Sequence, residues 1–389
     1  MLNRTVTAMM RRLIVCVTMC ALTAGSSVCA AEPGPSAERD LPPVGGSLGS
    51  PESAGAPEVR GRSALADSPE ERPLPPAVRA AIARGVEFLI RNQNQDGSWN
   101  SDGKVGRYPA AMTAMCGLAL VAGGSLPSSG PHATSVRRAV EYLLAHADPE
   151  SGLIGGEESG RPMFGHGYAM LFLAEVYGSE GDPALRARIE KVLRKAVELS
   201  ARCQSKDGGW YYTPDPRQDE GAVTVTQMQG LRACADAGIP VPAKVMEAGI
   251  GYVRKAANPD GGIAYRATGG GDSRPAITCA AVITLYSAGL YESELARNAF
   301  TYAKKYAPQP GEVVGSGHFY YAHLYLSQVM YFQGGRSWTE YFEKVRDWLV
   351  QNQNADGSWQ GDFFGTAYGT AVALLILELP YNTLPAAQR

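Results

Sequence analysis

Apolar positions along this chain fall into two alternating patterns. One kind of segment carries apolar residues at helical spacing on one side and charge on the other, as with Arg186, Lys191, Arg194, Lys195 and Glu198. The other kind is apolar on nearly every side and rich in small residues: Ala110 to Gly124, His166 to Gly178, Val223 to Gly238, Ala276 to Gly289, Tyr320 to Gly334, and from Gly365 into Leu379-Pro380. A helix that is apolar all round must be buried all round, so the half-charged helices have to cover it. The alternation predicts six helix pairs, with six inner and six outer helices, at a period of about fifty residues.

A short phrase marks where each outer helix stops. It reads Phe88-Leu89, Gln93, Gly97, Trp99 near the start and Trp348-Leu349, Gln353, Gly357, Trp359 near the end, with a partial copy at Leu199, Gln204, Gly208, Trp210. Weaker copies put isoleucine in place of tryptophan, at Tyr142-Leu143, Gly152, Ile154 and at Tyr252-Val253, Gly261-Gly262, Ile263. The glycine takes the left-handed conformation that ends a helix, and the glutamine satisfies backbone groups that the helix leaves unpaired. The tryptophan is expected to fold back over the glutamine as an apolar lid with a polar handle. Because the strongest copies lie in the first and last repeats, where an open solenoid would carry polar caps, the pattern favours a closed ring.

With these motifs the chain resembles the terpenoid cyclase and protein prenyltransferase superfamily, whose glutamine-tryptophan repeat matches Gln93-Gly97-Trp99 and Gln353-Gly357-Trp359. The squalene-hopene cyclases and the prenyltransferase and squalene oxidase repeat proteins belong to it. The resemblance covers roughly Pro76 to the C-terminus and implies an all-α fold, an alpha/alpha six-barrel or toroid around an apolar cavity, over residues 77–389. It is nearly silent on chemistry, because the same ring serves unrelated functions.

The first 76 residues are expected to lie outside this ring. Arg4, Arg11 and Arg12 precede an apolar run from Leu13 to about Ala24, and Val28-Cys29-Ala30 offers small residues for cleavage. Residues 1–30 therefore read as a signal peptide, and the protein as exported, periplasmic or extracellular. If the segment stays uncleaved it is the one expected membrane contact. Residues 31–76 are dense in Pro, Gly, Ser, Ala and charge and read as a disordered linker. A net charge of −2 without a basic stripe argues against nucleic acid as a partner. Cys116, Cys203, Cys234 and Cys279 remain beyond the leader and are expected as buried free thiols.

Candidate chemistry is sought at the turns and at the N-terminal ends of the inner helices, because loops on one end of a rigid scaffold are where sites form. Tyr108, Tyr168, Tyr212, Arg274, Tyr320, Tyr321, Phe364 and Tyr368 are candidates for ligand binding, since aromatic faces attract cations and stack on sugar rings. The cyclases' acidic Asp-x-Asp-Asp motif is absent. Asp219 and Glu220, adjacent carboxylates of which one is expected to hold a proton, are the nearest substitutes, and His166 falls at the register of the motif's last aspartate. The resemblance to prenyltransferases suggests a zinc triad, of which Cys279 and His323 are partial counterparts, but the aspartate position is Ile277, so no metal and no cofactor is expected. The one Gly-x-Ser-x-Gly, Gly45 to Gly49, falls in the expected linker rather than at a strand-to-helix elbow, and there is no phosphate loop or His-Glu-x-x-His helix. The sequence points first to a ring holding an apolar or isoprenoid-type ligand, with no reaction assigned. A non-catalytic scaffold for an unknown protein partner and a carbohydrate-active toroid with paired carboxylates are the alternatives.

Overall fold

A computed structural model describes residues 74–155, 160–311 and 318–380; the expected leader, and the expected linker up to residue 73, lie outside the described residues. Twelve α-helices are described, joined by turns and isolated β-bridges. In chain order they are α1 Pro76–Arg91, α2 Pro109–Ala122, α3 Ala133–Ala145, α4 Pro162–Ser179, α5 Pro183–Cys203, α6 Gly221–Asp236, α7 Ala243–Ala256, α8 Pro275–Ser287, α9 Glu294–Tyr306, α10 Phe319–Gln333, α11 Gly335–Gln351 and α12 Thr366–Glu378. The even-numbered helices are the apolar ones, and each packs on the next even-numbered helix until α12 meets α2, closing an inner ring. The odd-numbered helices pack outside, as in α1 against α12 and α9 against α8. This is the all-α alpha/alpha six-barrel expected from the periodicity.

Proline opens α2, α4 and α8, where a missing N–H costs nothing and the fixed φ suits a first turn. Small residues let the inner helices meet at backbone distance: a Cβ on Gly230 of α6 would lie 2.6 Å from the Gly167 carbonyl oxygen of α4. The thiols of Cys116, Cys203, Cys234 and Cys279 are free and buried. Among the described residues no helix is long and apolar enough to cross a membrane.

The repeated phrase works between repeats. Gln93 donates to Gly97 O at 2.9 Å and to Ser135 O on α3 at 3.0 Å. Gln204 does the same with Gly208 O and Val245 O on α7, and Gln353 with Gly357 O and Ala81 O on α1. The indole N–H does not reach the glutamine. Trp99, Trp210 and Trp359 donate instead to the carbonyls of Leu89, Ser200 and Leu349, ten residues back in each case, at 2.7–2.8 Å. The tryptophans are at most 1% exposed. The turn glycines lie against the next outer helix: a Cβ on Gly97, Gly152, Gly208, Gly261 or Gly357 would meet the carbonyl oxygen of Arg138, Lys195, Ala248, Asn298 or Arg84 at 2.0–2.8 Å. The last of these contacts, from the sixth repeat to α1, is the seam of the ring.

More bonds cross that seam. Asp102 accepts from Thr366 N at 2.6 Å and from the Thr366 hydroxyl at 2.7 Å, so a first-repeat carboxylate caps the last inner helix. The Ser101 hydroxyl donates to Phe364 O at 2.6 Å. Asp362, with φ +37°, likewise caps α10 from outside by accepting from Tyr320 N and Tyr321 N at 3.3 and 3.2 Å. Asp102 and Asp362 thus place negative charge at helix starts in neighbouring repeats.

Candidate functional site

All six inner helices contribute to one central cavity. Its walls are Met115 and Leu118 of α2, Leu171 of α4, Ile283 of α8, Leu324 of α10 and Ile376 of α12, while Glu175, Gln229, Arg232, Ser287 and Gln328 line its polar end. These polar residues sit towards the C-terminal ends of their helices. The cavity therefore faces the end of the ring opposite to the N-terminal ends that the sequence singled out. The volume open to the centre of a water-sized sphere is about 70 Å³, room for roughly five to seven waters.

A tyrosine layer closes the other end. Tyr168 and Tyr325 line the cavity and share a hydrogen bond of 3.1 Å between their hydroxyls. Tyr321 packs edge-on against Tyr325, with centroids 4.9 Å apart. The hydroxyls of Tyr321 and Tyr368 are buried without a hydrogen-bond partner of ordinary geometry. Burial pushes the Tyr168 phenol up to about 12 and holds Tyr321, Tyr325 and Tyr368 well above the usual range, so all four stay neutral. Tyr321 and Tyr368 are each the third residue of their helix, and Tyr168 and Tyr325 the seventh, which stacks the hydroxyls in two tiers along the axis.

Beyond this layer, at the N-terminal face, lies Glu220. It is fully buried and caps α6 by accepting from Ala222 N and Val223 N. Burial raises its carboxyl from an ordinary 4.5 to about 7, partly offset by those backbone donors and by Arg161 and Tyr265. Arg161 lies over the Tyr212 ring at 4.5 Å, and the Tyr212 and Tyr265 hydroxyls contact each other. Asp219 points away, accepting from the Ser205 hydroxyl at 3.3 Å.

The other sequence-derived residues disperse. His166 is buried, with Nδ1 accepting from Ile154 N at 3.0 Å and Nε2 facing Ala196 O and Ser200 Oγ, both at 3.2 Å. In other repeats a threonine takes the same place: Thr113, Thr224 and Thr370 accept from the backbone N–H of Trp99, Trp210 and Trp359, and Thr278 from Ile263. Burial lowers the His166 pKa to about 4, keeping it a neutral acceptor. Tyr108, at φ +45°, packs edge-on against Phe364, and Phe364 packs against Tyr368. Tyr320 faces outward to Trp348, and Arg274 is exposed at the start of α8. The structure thus gathers Tyr168, Tyr321 and Tyr368, with Phe364 and Tyr108 beside them, and separates them from Arg274 and Tyr320.

The residues present do not fit a zinc triad. His323 is bound through Nδ1 to the Tyr341 hydroxyl at 2.7 Å and through Nε2 to Pro308 O at 2.8 Å. Burial raises the Cys279 thiol to about 12, far from the thiolate a metal needs. Among the described residues no three His, Cys, Asp or Glu side chains are placed to hold an ion.

Sequence reasoning passed over the lining residues near the C-terminal ends, Glu175, Gln229, Arg232 and Gln328. The available signal was the rare polar residue within an apolar inner helix. It also passed over Arg161, Tyr265 and Arg266, whose signal was the aromatic-basic pattern just before an inner helix.

A closed ring of six inner and six outer helices with a central cavity defines an alpha/alpha toroid. Solved structures share it. A protein from Actinoplanes is 18% identical with a TM-score of 0.51, covering 79% of this chain and 99% of its own. The type II terpene cyclase MstE from Scytonema is 14% identical with a TM-score of 0.54, covering 78% of this chain and 97% of its own. An inactive variant of the alpha-1,6-mannanase GH76A of Salegentibacter sp. HEL1_6 is 10% identical with a TM-score of 0.56, covering 78% and 98%. No protein-family model and no curated protein matches the sequence. At these identities the likeness concerns the fold alone.

Proposed function

We propose that this toroid binds a small apolar or amphipathic molecule, of isoprenoid type, by one end in its central cavity. The observation that carries the reading is the cavity itself, apolar-walled, built by all six inner helices and floored by the Tyr168–Tyr325 pair. A preformed apolar pocket with a few convergent polar groups is the usual form of a small-molecule site. Its size limits the reading. Space for five to seven waters, at about 30 Å³ each, admits roughly one isoprene unit, so a longer chain would extend out past Glu175 and Gln328. A variant of the type II terpene cyclase MstE, which shares this fold, is seen in complex with geranylgeranyl dihydroxybenzoate, a much larger ligand. Glu220, the carboxyl held near neutrality, is separated from the cavity by the tyrosine layer. The signal-like residues 1–30 support placing the binder outside the cytoplasm.

Ligand-observed NMR with geraniol tests this. Saturation transfer to geraniol in the native protein, lost in Ile283→Trp and Leu171→Trp variants of unchanged melting temperature, is the expected result. Absence of transfer to geraniol, or transfer equal in both cavity-filling variants, would overturn it.

A further inference from the structure

The N-terminal face carries a cluster that the cavity does not use. Arg161 lies over Tyr212 at 4.5 Å and Arg266 over Tyr211 at 5.7 Å, and the two tyrosine rings adjoin with centroids 4.7 Å apart. Tyr265 meets Tyr212 through its hydroxyl. The loop bearing Tyr265, Arg266 and Arg274 is pinned by a bridge between Ala264 and Ser273, by Arg274 N to Ile263 O at 2.9 Å, and by Gly221 N to Tyr265 O at 2.9 Å.

Arg161, Arg266 and Arg274 are exposed, and none makes an ion pair among the described residues. The neighbouring acids are mostly engaged. Asp215 is taken by Arg217 at 2.8 Å, Asp219 by Ser205, Asp260 by the Ser273 hydroxyl at 2.7 Å, and Glu220 by the backbone at the start of α6. Among the described acids, Asp272, exposed on the same loop, is the counter-charge that is left. The N-termini of α4, α6 and α8, which begin beside Arg161, Glu220 and Arg274, add the positive ends of their dipoles. A guanidinium resting on a tyrosine face has lost much of its freedom before any ligand arrives, and its N–H edges stay open to a planar oxyanion.

We infer that this face binds an acidic sugar chain, a uronate oligosaccharide, with its carboxylates on Arg161 and Arg266 and its rings against Tyr211 and Tyr265. Two guanidiniums on neighbouring rings suit charges that recur along a polymer, and the exposed arginines over half-buried tyrosines form an open shelf that a chain can cross. The tyrosine hydroxyls supply hydrogen bonds that a bare anion would not need.

Isothermal titration of the protein with trigalacturonic acid tests the inference, with maltotriose as the neutral sugar and acetate as the bare carboxylate. Trigalacturonic acid should bind at low salt, weaken steeply between about 20 and 300 mM salt, and lose roughly tenfold or more in affinity in the Arg161→Gln/Arg266→Gln double variant of unchanged melting temperature. Maltotriose and acetate should bind far more weakly. The inference fails if trigalacturonic acid does not bind at low salt, if the double variant binds it as tightly, or if acetate or maltotriose matches it.

Discussion

Two glycines separate the backbone strain of a turn from the docking of one repeat onto the next. Gly208 and Gly238 both adopt the left-handed conformation, with φ +96° and +90°. A Cβ on Gly208 would lie 2.0 Å from the Ala248 carbonyl oxygen of α7, whereas one on Gly238 would meet nothing within 4 Å. Alanine at either position costs about 1–2 kcal/mol for the left-handed backbone. Gly208→Ala must also push α7 away by more than 1 Å to reach an ordinary contact near 3.4 Å, which pulls Val245 O off the Gln204 amide now 2.9 Å away. One hydrogen bond at about 1 kcal/mol and overpacking at about 1–3 kcal/mol bring its total to roughly 3–6 kcal/mol. An ordered domain of about 300 residues unfolds with an entropy near 0.6 kcal/mol/K, so the expected losses in Tm are about 2–3 °C for Gly238→Ala and 5–10 °C for Gly208→Ala. Thermal melts followed by circular dichroism and calorimetry measure both. Equal losses in the two variants would refute the claim that the turn glycine is a docking surface.

Trp359→Ala removes a fully buried ring and its 2.7 Å bond to Leu349 O, and should cost roughly 3–5 kcal/mol; an unchanged urea midpoint would count against the staple. Asp102→Ala should cost about 1–2 kcal/mol and speed hydrogen exchange at the start of α12 more than at the start of α6, whereas a uniform change would sink the idea that Asp102 holds the seam. Glu220 titrates at about 7 in the folded protein against an ordinary 4.5, so the folded state holds its proton more tightly and the associated stability, full below 4.5, is lost as pH rises through 7. Glu220→Gln keeps an acceptor oxygen for the cap without that titration. Its stability relative to the native protein should climb by about 1–3 kcal/mol from pH 4.5 to 8, and a difference that is flat with pH would refute the assignment.

The helices were legible because each side-chain pattern answers a local question: which face is apolar, where glycine ends a turn, where proline may begin one. Gln93, Gly97 and Trp99 announced a staple, but their partners are Ser135 O and Arg138 O on the next outer helix, and nothing in the local spacing names a partner some forty residues away. Asp102 and Asp362 were opaque for the same reason, since each caps a helix in another repeat. His166 was misleading in isolation. Only when the repeats are superposed does it fall where Thr113, Thr224 and Thr370 accept from the staple's backbone, a structural place that explains its burial and its lowered pKa without chemistry. Which end of the ring opens depends on where bulky side chains meet on the axis, and a helical period does not encode that.

The tyrosine layer is what gives the ring two unlike ends. Inner helices running in one direction would alone leave a tube with a positive and a negative mouth. Tyr168, Tyr321, Tyr325 and Tyr368 fill that tube near its positive end with neutral phenols, so the apolar volume is left only towards the other end, where Glu175 and Arg232 stand. The same plug shields Glu220 from the cavity, while the face above it keeps three exposed arginines that make no ion pair among the described residues. On the two proposals made above, an apolar ligand and an acidic one would be sorted to opposite ends by one layer of side chains, and a variant that shrinks those phenols would join the two compartments and bring the Glu220 carboxyl within reach of the cavity.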